Sequence, residues 1–166
     1  MDWRGAEVNA SSEVVEESLK NLGATVMGRN MFGGAGLWGA DPWDGWWGDD
    51  PPFHMPVFIV TPHAREPVTK EGGTTFTFVT NGIESALAQA REAAGGKDVA
   101  LSGGANIAQQ YLKAGLIDKM QIHLVPVLLR AGARLFDNLA DTEVGLECTR
   151  AIEAPGVTHL TYSILN

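Results

Sequence analysis

The sequence contains a single cysteine, Cys148, among its 166 residues. One thiol cannot form an internal disulfide, which excludes a small secreted scaffold held together by cross-links. No apolar run approaches the roughly 20 residues that a membrane-spanning helix needs. The first residues also lack the order of basic and then apolar residues that marks a signal peptide. We therefore expect a cytoplasmic protein.

Basic residues are scarce as well. Twelve Lys and Arg stand against twenty Asp and Glu, so the formal net charge is -8. Residues 1–60 hold nine acids and three bases, whereas residues 61–166 hold eleven and nine. A chain of this charge is not expected to bind nucleic acid by neutralising phosphates. Any anionic ligand must be held by a few placed cations and backbone amides.

The hydrophobic content of 45% is that of a globular protein, and the length suits one domain covering residues 1–166. Local patterns predict a helix, a strand, a long loop, two strands, a helix, a strand, a helix, a strand and a hairpin. Strands separated by helices indicate right-handed crossovers and a mostly parallel sheet covered on both faces. The predicted fold class is therefore three-layer α/β/α, with a mixed sheet that ends in an antiparallel hairpin.

Individual boundaries follow from apolar spacing and capping residues. A first helix is predicted over 12–22 and would end at Gly23. Asn81 would cap a second helix, with Glu84 in the capping-box position, and a third helix covers 105–114. The predicted strands cover residues 24–27, 56–61, 74–79, 98–102, 120–129, 144–152 and 157–165.

Two segments are predicted to be irregular. Residues 1–11 form a poorly defined N-terminal segment, and residues 33–56 form a long loop rich in glycine, proline and tryptophan. The tryptophans of this loop are Trp38, Trp43, Trp46 and Trp47. Such rings could stack on a flat heterocycle, or they could pack the loop onto the domain or a subunit interface. We favour packing.

The strongest local motif covers residues 102–107, where two glycines join an apolar strand to a helix. Glycines let a phosphate approach the backbone, and the start of a helix offers free N–H groups with a partial positive charge. The same residues also fit a tight turn that binds nothing, because the motif is neither a P-loop nor a full dinucleotide fingerprint.

Two other predicted strands end in phosphate-type donors. Gly28 and Arg29 follow one strand, and Thr61, His63 and Arg65 follow the next. Hydroxyl and guanidinium groups bind phosphate well, and α/β sheets place ligands at the carboxyl ends of their strands. Each residue alone is explained as a turn or surface residue. Together the three strand ends predict a site for an extended phosphorylated cofactor.

A resemblance to a known superfamily rests on segments that stand in the expected order within residues 12–165: 26–29 with Phe32, 56–61, 102–107, 116–118 and 125–136. They resemble the dihydrofolate reductase-like superfamily. The similarity is closer to the branch containing the reductase domain of bifunctional riboflavin-biosynthesis deaminase-reductases and its stand-alone relatives. The resemblance implies a dihydrofolate reductase-like fold, a homodimer, and hydride transfer from NADPH to a C=N or C=O group of a pteridine- or ribitylaminopyrimidine-like substrate.

The resemblance also implies where NADPH would bind. Its phosphates would meet Gly28, Arg29 and Asn30, its 2′-phosphate would meet Thr61, His63 and Arg65, and its pyrophosphate would meet Ser102, Gly103, Gly104, Ala105, Asn106 and Ile107. Glu13 falls nearest the family's catalytic acid, although we favour a carboxylate that interacts only with the helix dipole. The four histidines lack the spacing of metal ligands, so no metal is expected.

One departure from the family concerns the N-terminus. Family members normally begin with a buried strand and a loop at the nicotinamide, whereas this chain has only a short polar stretch before its first predicted helix. We expect that strand to be absent, so that the chain is shortened or another segment or subunit completes the sheet. A non-catalytic nucleotide-binding or assembly module, and a structural domain whose turns bind nothing, stay open as alternatives.

Overall fold

A computed structural model describes residues 9–33, 38–39, 45–139 and 143–165. They belong to two compact units. One, which we call the parallel unit, lies within Asn21–Gln110, and the other, the hairpin unit, lies within Met1–Lys20 and Tyr111–Asn166. In the described part of the chain, no helix is long and apolar enough to cross a membrane.

The elements alternate in the order expected of an α/β protein. The helices are α1 (Ala10–Leu19), α2 (Arg29–Gly33), α3 (Ile83–Ala94) and α4 (Ala105–Lys113). The strands are β1 (Leu22–Gly28), β2 (Pro56–Val60), β3 (Val68–Thr69), β4 (Thr75–Val79), β5 (Asp98–Leu101), β6 (Lys119–Leu124), β7 (Gly145–Ala154) and β8 (Val157–Leu165). The predicted α/β class is confirmed.

The parallel unit contains a five-stranded sheet in the order β3-β4-β2-β1-β5. Four strands run parallel, and the short β3 pairs antiparallel with β4 at one edge. The central strands β1 and β2 are almost continuous apolar runs because a parallel sheet is buried on both faces. The main core cluster consists of Met27, Phe32, Val57, Ile59, Phe76 and Phe78.

Gly23 does not end the first helix as predicted. Helix α1 ends at Leu19, and Gly23 lies inside β1. A Cβ atom on Gly23 would lie only 2.6 Å from the carbonyl oxygen of Ala94, at the end of α3. Glycine is therefore needed here for a close approach between a strand and a helix, a tertiary requirement that resembles a helix stop in the sequence.

The predicted capping box of α3 is also wrong. The N-cap is Gly82, one residue after Asn81, and this glycine has no side chain that could cap the helix. The C-terminal end of α3 is as predicted. Gly95 adopts the left-handed conformation with φ of 58°, and its amide donates to the carbonyl of Glu92.

The hairpin unit contains a three-stranded antiparallel sheet in the order β6-β8-β7, with α1 packed against β7 and β8. The C-terminal hairpin is confirmed, because Ala154 pairs with Val157 across the turn. Strand β6 ends at Leu124 instead of residue 129. Pro126 has no N–H to donate to a sheet, and the chain beyond it is exposed.

The described strands form two sheets, whereas one mixed sheet was predicted. Strand β5 lies at one edge of the larger sheet, and β6 lies at one edge of the smaller. The strand that the resemblance expects before α1 would fall in residues 1–8, which lie outside the described residues. Its predicted absence therefore stays a prediction.

Candidate functional site

The three strand ends singled out in the sequence meet at one edge of the parallel unit. Strands β2, β1 and β5 are neighbours and run parallel, so their carboxyl ends share an edge. The amide of Gly28, at the end of β1, donates to the carbonyl of Gly103 over 2.8 Å. The amide of Ser102, which follows β5, donates to the carbonyl of Val26 over 2.9 Å. Two of the predicted segments are thus in direct contact.

The glycine turn between β5 and α4 has open space around it. Gly103 has φ of 84°, its peptide bond to Gly104 is cis, and a Cβ atom on either glycine would meet nothing within 4 Å. Helix α4 starts at Ala105, and the amide of Ala108 bonds to the carbonyl of Gly104. Among the described residues nothing fills the space beside the two glycines, so a ligand phosphate can approach the backbone of this turn.

The other residues of this motif have structural partners. The hydroxyl oxygen of Ser102 lies 2.7 Å from that of Thr25 in the neighbouring strand. Asn106 is exposed and accepts a hydrogen bond from Gln110 over 2.8 Å. Ile107 is 4% exposed and would lie 3.5 Å from a Cβ on Gly28. Ile107 therefore packs under the turn, while Asn106 faces outwards.

Two arginines lie against one tryptophan ring. The guanidinium carbon of Arg29 is 3.6 Å from the ring centroid of Trp38, and that of Arg65 is 4.9 Å from the same centroid. Arg65 also lies 5.2 Å from the ring of Phe78, and Arg29 donates to the carbonyl of Gly33 over 2.5 Å. Cation–π contacts of this kind hold guanidinium groups in fixed orientations.

The proximity of the two positive charges has an electrostatic consequence. Burial lowers the pKa of Arg29 from its usual value, and the charge of Arg65 lowers it further. Both effects act against the charged form, although a guanidinium stays protonated at neutral pH. A multiply charged anion beside the two arginines would offset both effects, so this edge of the sheet favours a phosphate group.

The loop after β2 is held by its own hydrogen bonds. Thr61 is buried, and its amide donates to the carbonyl of Val79 over 3.1 Å. The hydroxyl oxygen of Thr61 accepts from the amide of His63 over 3.1 Å, and the indole N–H of Trp38 donates to the carbonyl of His63 over 3.0 Å. These bonds connect the tryptophan to the loop that carries Arg65.

The sequence of this chain matches the model of a known protein family. Residues 3–160 match the family model described as the RibD C-terminal domain. The chain belongs to the RibD C-terminal domain family. The predicted resemblance to the riboflavin-biosynthesis branch is thereby confirmed. None of the curated proteins matches the sequence at a significant level.

Solved structures of family relatives have the same fold. A protein from Shewanella sp. PV-4, described as a riboflavin biosynthesis protein, is 22% identical with a TM-score of 0.69, covering 100% of this chain and 88% of that one. A pyrimidine reductase-like protein from Corynebacterium diphtheriae is 14% identical with a TM-score of 0.59, covering 96% and 83%. RibD from Acinetobacter baumannii is 18% identical with a TM-score of 0.62, covering 97% of this chain and 52% of that protein.

Trp38 belongs to this site, but sequence reasoning did not assign it there. The packing interpretation describes its contacts with Phe32 and Phe78, whose ring centroids lie 6.2 and 5.1 Å away, but not its contacts with the two arginines. No spacing in the sequence predicts that Arg29 and Arg65 contact the same ring. The three residues come together only in the tertiary structure.

The other tryptophans of the loop differ from Trp38. Trp47 packs on Phe53 and Phe76, with ring centroids 4.9 and 6.1 Å apart, whereas Trp46 is 66% exposed. Trp43 lies outside the described residues. Trp47 therefore packs the loop onto the core, as we had favoured.

Two predicted site residues have exposed side chains. Asn30 is in the first turn of α2, next to Arg29, and is exposed. Glu13 belongs to the hairpin unit, where it is exposed in the first turn of α1. The buried residue of that turn is its neighbour, Ser12.

Proposed function

We propose that this protein is an NADPH-dependent reductase that transfers a hydride to a C=N or C=O group of a small heterocyclic substrate of the pteridine or ribitylaminopyrimidine type. The observation that carries the proposal is the pair of arginines on Trp38, at the sheet edge that also holds the open Gly103–Gly104 turn. Membership of the RibD C-terminal domain family supports it, as does the likeness to a pyrimidine reductase-like protein.

The residues at this edge fit the groups that distinguish NADPH. The turn at Gly103 and Gly104 would admit the pyrophosphate, with the start of α4 supplying N–H donors. Arg65, with His63 and Thr61 in the same loop, would hold the 2′-phosphate, and Arg29 would add a second cation. When bound, NADPH supplies the hydride. The protein binds and orients the cofactor.

Titration with NADPH followed by tryptophan fluorescence tests this proposal. A phosphate bound by Arg29 and Arg65 would change the surroundings of Trp38, because both arginines lie on its ring. We expect a saturable fluorescence change that is smaller in a Trp38→Phe variant. The Trp46→Phe variant is the matched control, since Trp46 is exposed, and its signal should still respond to NADPH. A wild-type signal that stays constant up to millimolar NADPH would contradict the proposal.

A second candidate function is a nucleotide-binding or assembly module that lacks hydride transfer. The predicted absence of the family's usual first strand supports it, because the resemblance places the loop after that strand at the nicotinamide. The two candidates differ in turnover. If NADPH binds but is not oxidised with any dihydropteridine or ribitylaminopyrimidine substrate, the non-catalytic function is correct.

We also propose that the chain forms a homodimer through the exposed apolar run at residues 124–129. Leu128 is 99% exposed and Leu129 is 77% exposed, and contiguous exposed apolar residues mark interaction surfaces. Light scattering after size exclusion should give twice the chain mass for the wild type and the chain mass for Leu128→Asp. A Leu19→Asp variant, changed at an exposed leucine of α1, should stay dimeric. A monomeric wild type would exclude the dimer.

A further inference from the structure

A hydrogen-bonded trio in the hairpin unit lies outside the candidate site. The hydroxyl oxygen of Ser11, on α1, is 2.9 Å from Nε2 of His159. The Nδ1 atom of His159 is 2.6 Å from Nδ1 of His123. The two histidines are direct cross-strand partners on β8 and β6. His159 is 4% exposed, whereas His123 reaches the surface. The trio thus connects α1 to the sheet.

A hydrogen bond between the two Nδ1 atoms requires that one of them carries a proton and that the other does not. A neutral imidazole has one N–H donor and one acceptor nitrogen, whereas an imidazolium has a donor on both nitrogens. If His159 donates from Nδ1, its Nε2 accepts from Ser11, and in the reverse tautomer its Nε2–H donates to Ser11. If the neutral pair takes up one proton, the Nδ1–Nδ1 hydrogen bond and the hydrogen bond to Ser11 both persist. If the pair takes up two protons, both Nδ1 atoms carry hydrogens, and the two imidazolium rings repel each other.

A second positive charge on the pair would have no ion-pair partner among the described residues. The charged groups on the described elements that pack around the pair are Glu13, Glu16 and Glu17 on α1, Lys119 on β6, and Glu147, Arg150 and Glu153 on β7. Glu17 is bound by Arg150 over 2.6 Å, and that contact lowers the pKa of Glu17. Among the described residues, no carboxylate lies within ion-pair distance of either histidine.

Two catalytic interpretations of the trio fail on the same geometry. A nucleophilic serine needs free donors for an oxyanion, but the amides of Ser11 and Ser12 already donate to Oδ1 of Asn9 over 2.9 and 3.3 Å. A metal site needs more ligands, and in the described ranges no group of three histidine, cysteine or acidic side chains converges. The trio therefore supports a conformational role.

We propose that His123 and His159 form a pH-sensitive clasp, which holds the start of α1 on the antiparallel sheet through Ser11 and opens when the pair takes up a second proton. Burial and the charge of His159 lower the pKa of His123, in agreement with this geometry. An imidazole that has left this contact regains the ordinary pKa of about 6.5. The closed state therefore binds fewer protons, and its stability is complete above about pH 6.5 and falls as the pH decreases below that value.

Hydrogen exchange of the α1 amides in the full chain tests the clasp. Between about pH 7.5 and about pH 5.5, and after correction for intrinsic rates, the opening constant should rise about tenfold, because about pH 5.5 lies roughly one unit below the ordinary imidazole pKa and the open state then binds one more proton than the closed state. The His123→Asn variant should show no such rise, because its amide can bond at the position of Nδ1 but does not titrate. An equal rise in wild type and variant, or no rise in the wild type, would overturn the proposal.

The matched control is His54→Asn. His54 is an exposed histidine of the parallel unit with φ of 49°, a conformation that asparagine tolerates, so the substitution removes a titrating ring without strain. Its α1 amides should respond to pH as in the wild type. If His123→Asn does not fold, the ring nitrogen shifts of the wild-type histidines decide. A titration step of the His123 ring below the ordinary imidazole value supports the clasp, and a step at the ordinary value contradicts it.

Discussion

Replacing Arg65 with alanine is expected to weaken NADPH binding by about 10- to 100-fold and to leave NADH binding nearly unchanged. The 2′-phosphate is the only group that distinguishes the two cofactors, and Arg65 lies on the Trp38 ring where we place that phosphate. A hydrogen bond to a charged group contributes about 1.5–3 kcal/mol, which gives this range of affinities. Fluorescence titrations with both cofactors measure the difference.

Arg91→Ala provides the control for the change of charge. Arg91 is exposed in the last turn of α3, so its removal alters the net charge equally without touching the candidate site. Both cofactors should bind this variant as they bind the wild type. Equal losses of NADPH and NADH in Arg65→Ala would exclude the proposed role at the 2′-phosphate. Raised salt should narrow the preference for NADPH, since it screens exposed charges.

The largest effect on stability is expected from Phe32→Ala, at about 3–5 kcal/mol of the free energy of unfolding. Phe32 is fully buried, and its ring packs edge-on against Phe76 and Phe78 at centroid distances of 5.1 and 5.3 Å and against Trp38 at 6.2 Å. Truncation would leave a cavity among these rings, because they cannot all move to fill it. Urea denaturation measures the loss.

The neighbouring Met31→Ala variant is the matched control. Met31 belongs to the same short helix but is 40% exposed, so its truncation should cost less than about 1 kcal/mol. Phe32→Ala should also weaken NADPH binding, since α2 carries Arg29 at its start. If the two variants were equally stable, the aromatic cluster would not be the core of the parallel unit.

Much of the parallel unit was predictable because its signals are local. The continuous apolar runs of β1 and β2 indicate strands buried on both faces, and Gly95 marks the end of α3. The predictions were wrong where a residue distant in sequence determines the local structure. Gly23 was assigned to a helix end because its real constraint, the backbone of Ala94, is far away in the sequence. The two-residue strand β3 is too short for any periodic signal.

The candidate site was predictable only in part, for a related reason. Residues at the ends of parallel strands could be grouped in advance, because the topology of an α/β sheet brings those ends to one edge. Trp38 could not be grouped with Arg29 and Arg65, since no local pattern in the sequence predicts that its ring contacts both guanidinium groups. The contact between the two histidines of the clasp could not be predicted from the sequence either. His123 and His159 were separate sheet residues until the register of β6 and β8 placed them opposite each other.

The single cysteine and the excess of acidic residues allowed two predictions without any structure, namely that the protein is not a disulfide scaffold and that it does not bind nucleic acid by neutralising phosphates. The succession of most helices and strands along the chain, and the glycine turn, likewise followed from residues close together in the sequence. Which cations share a ring, which glycine is needed for close packing, and which two histidines share a proton depended on the folded chain. These contacts join residues that are distant in sequence, and no local pattern records the distances between them.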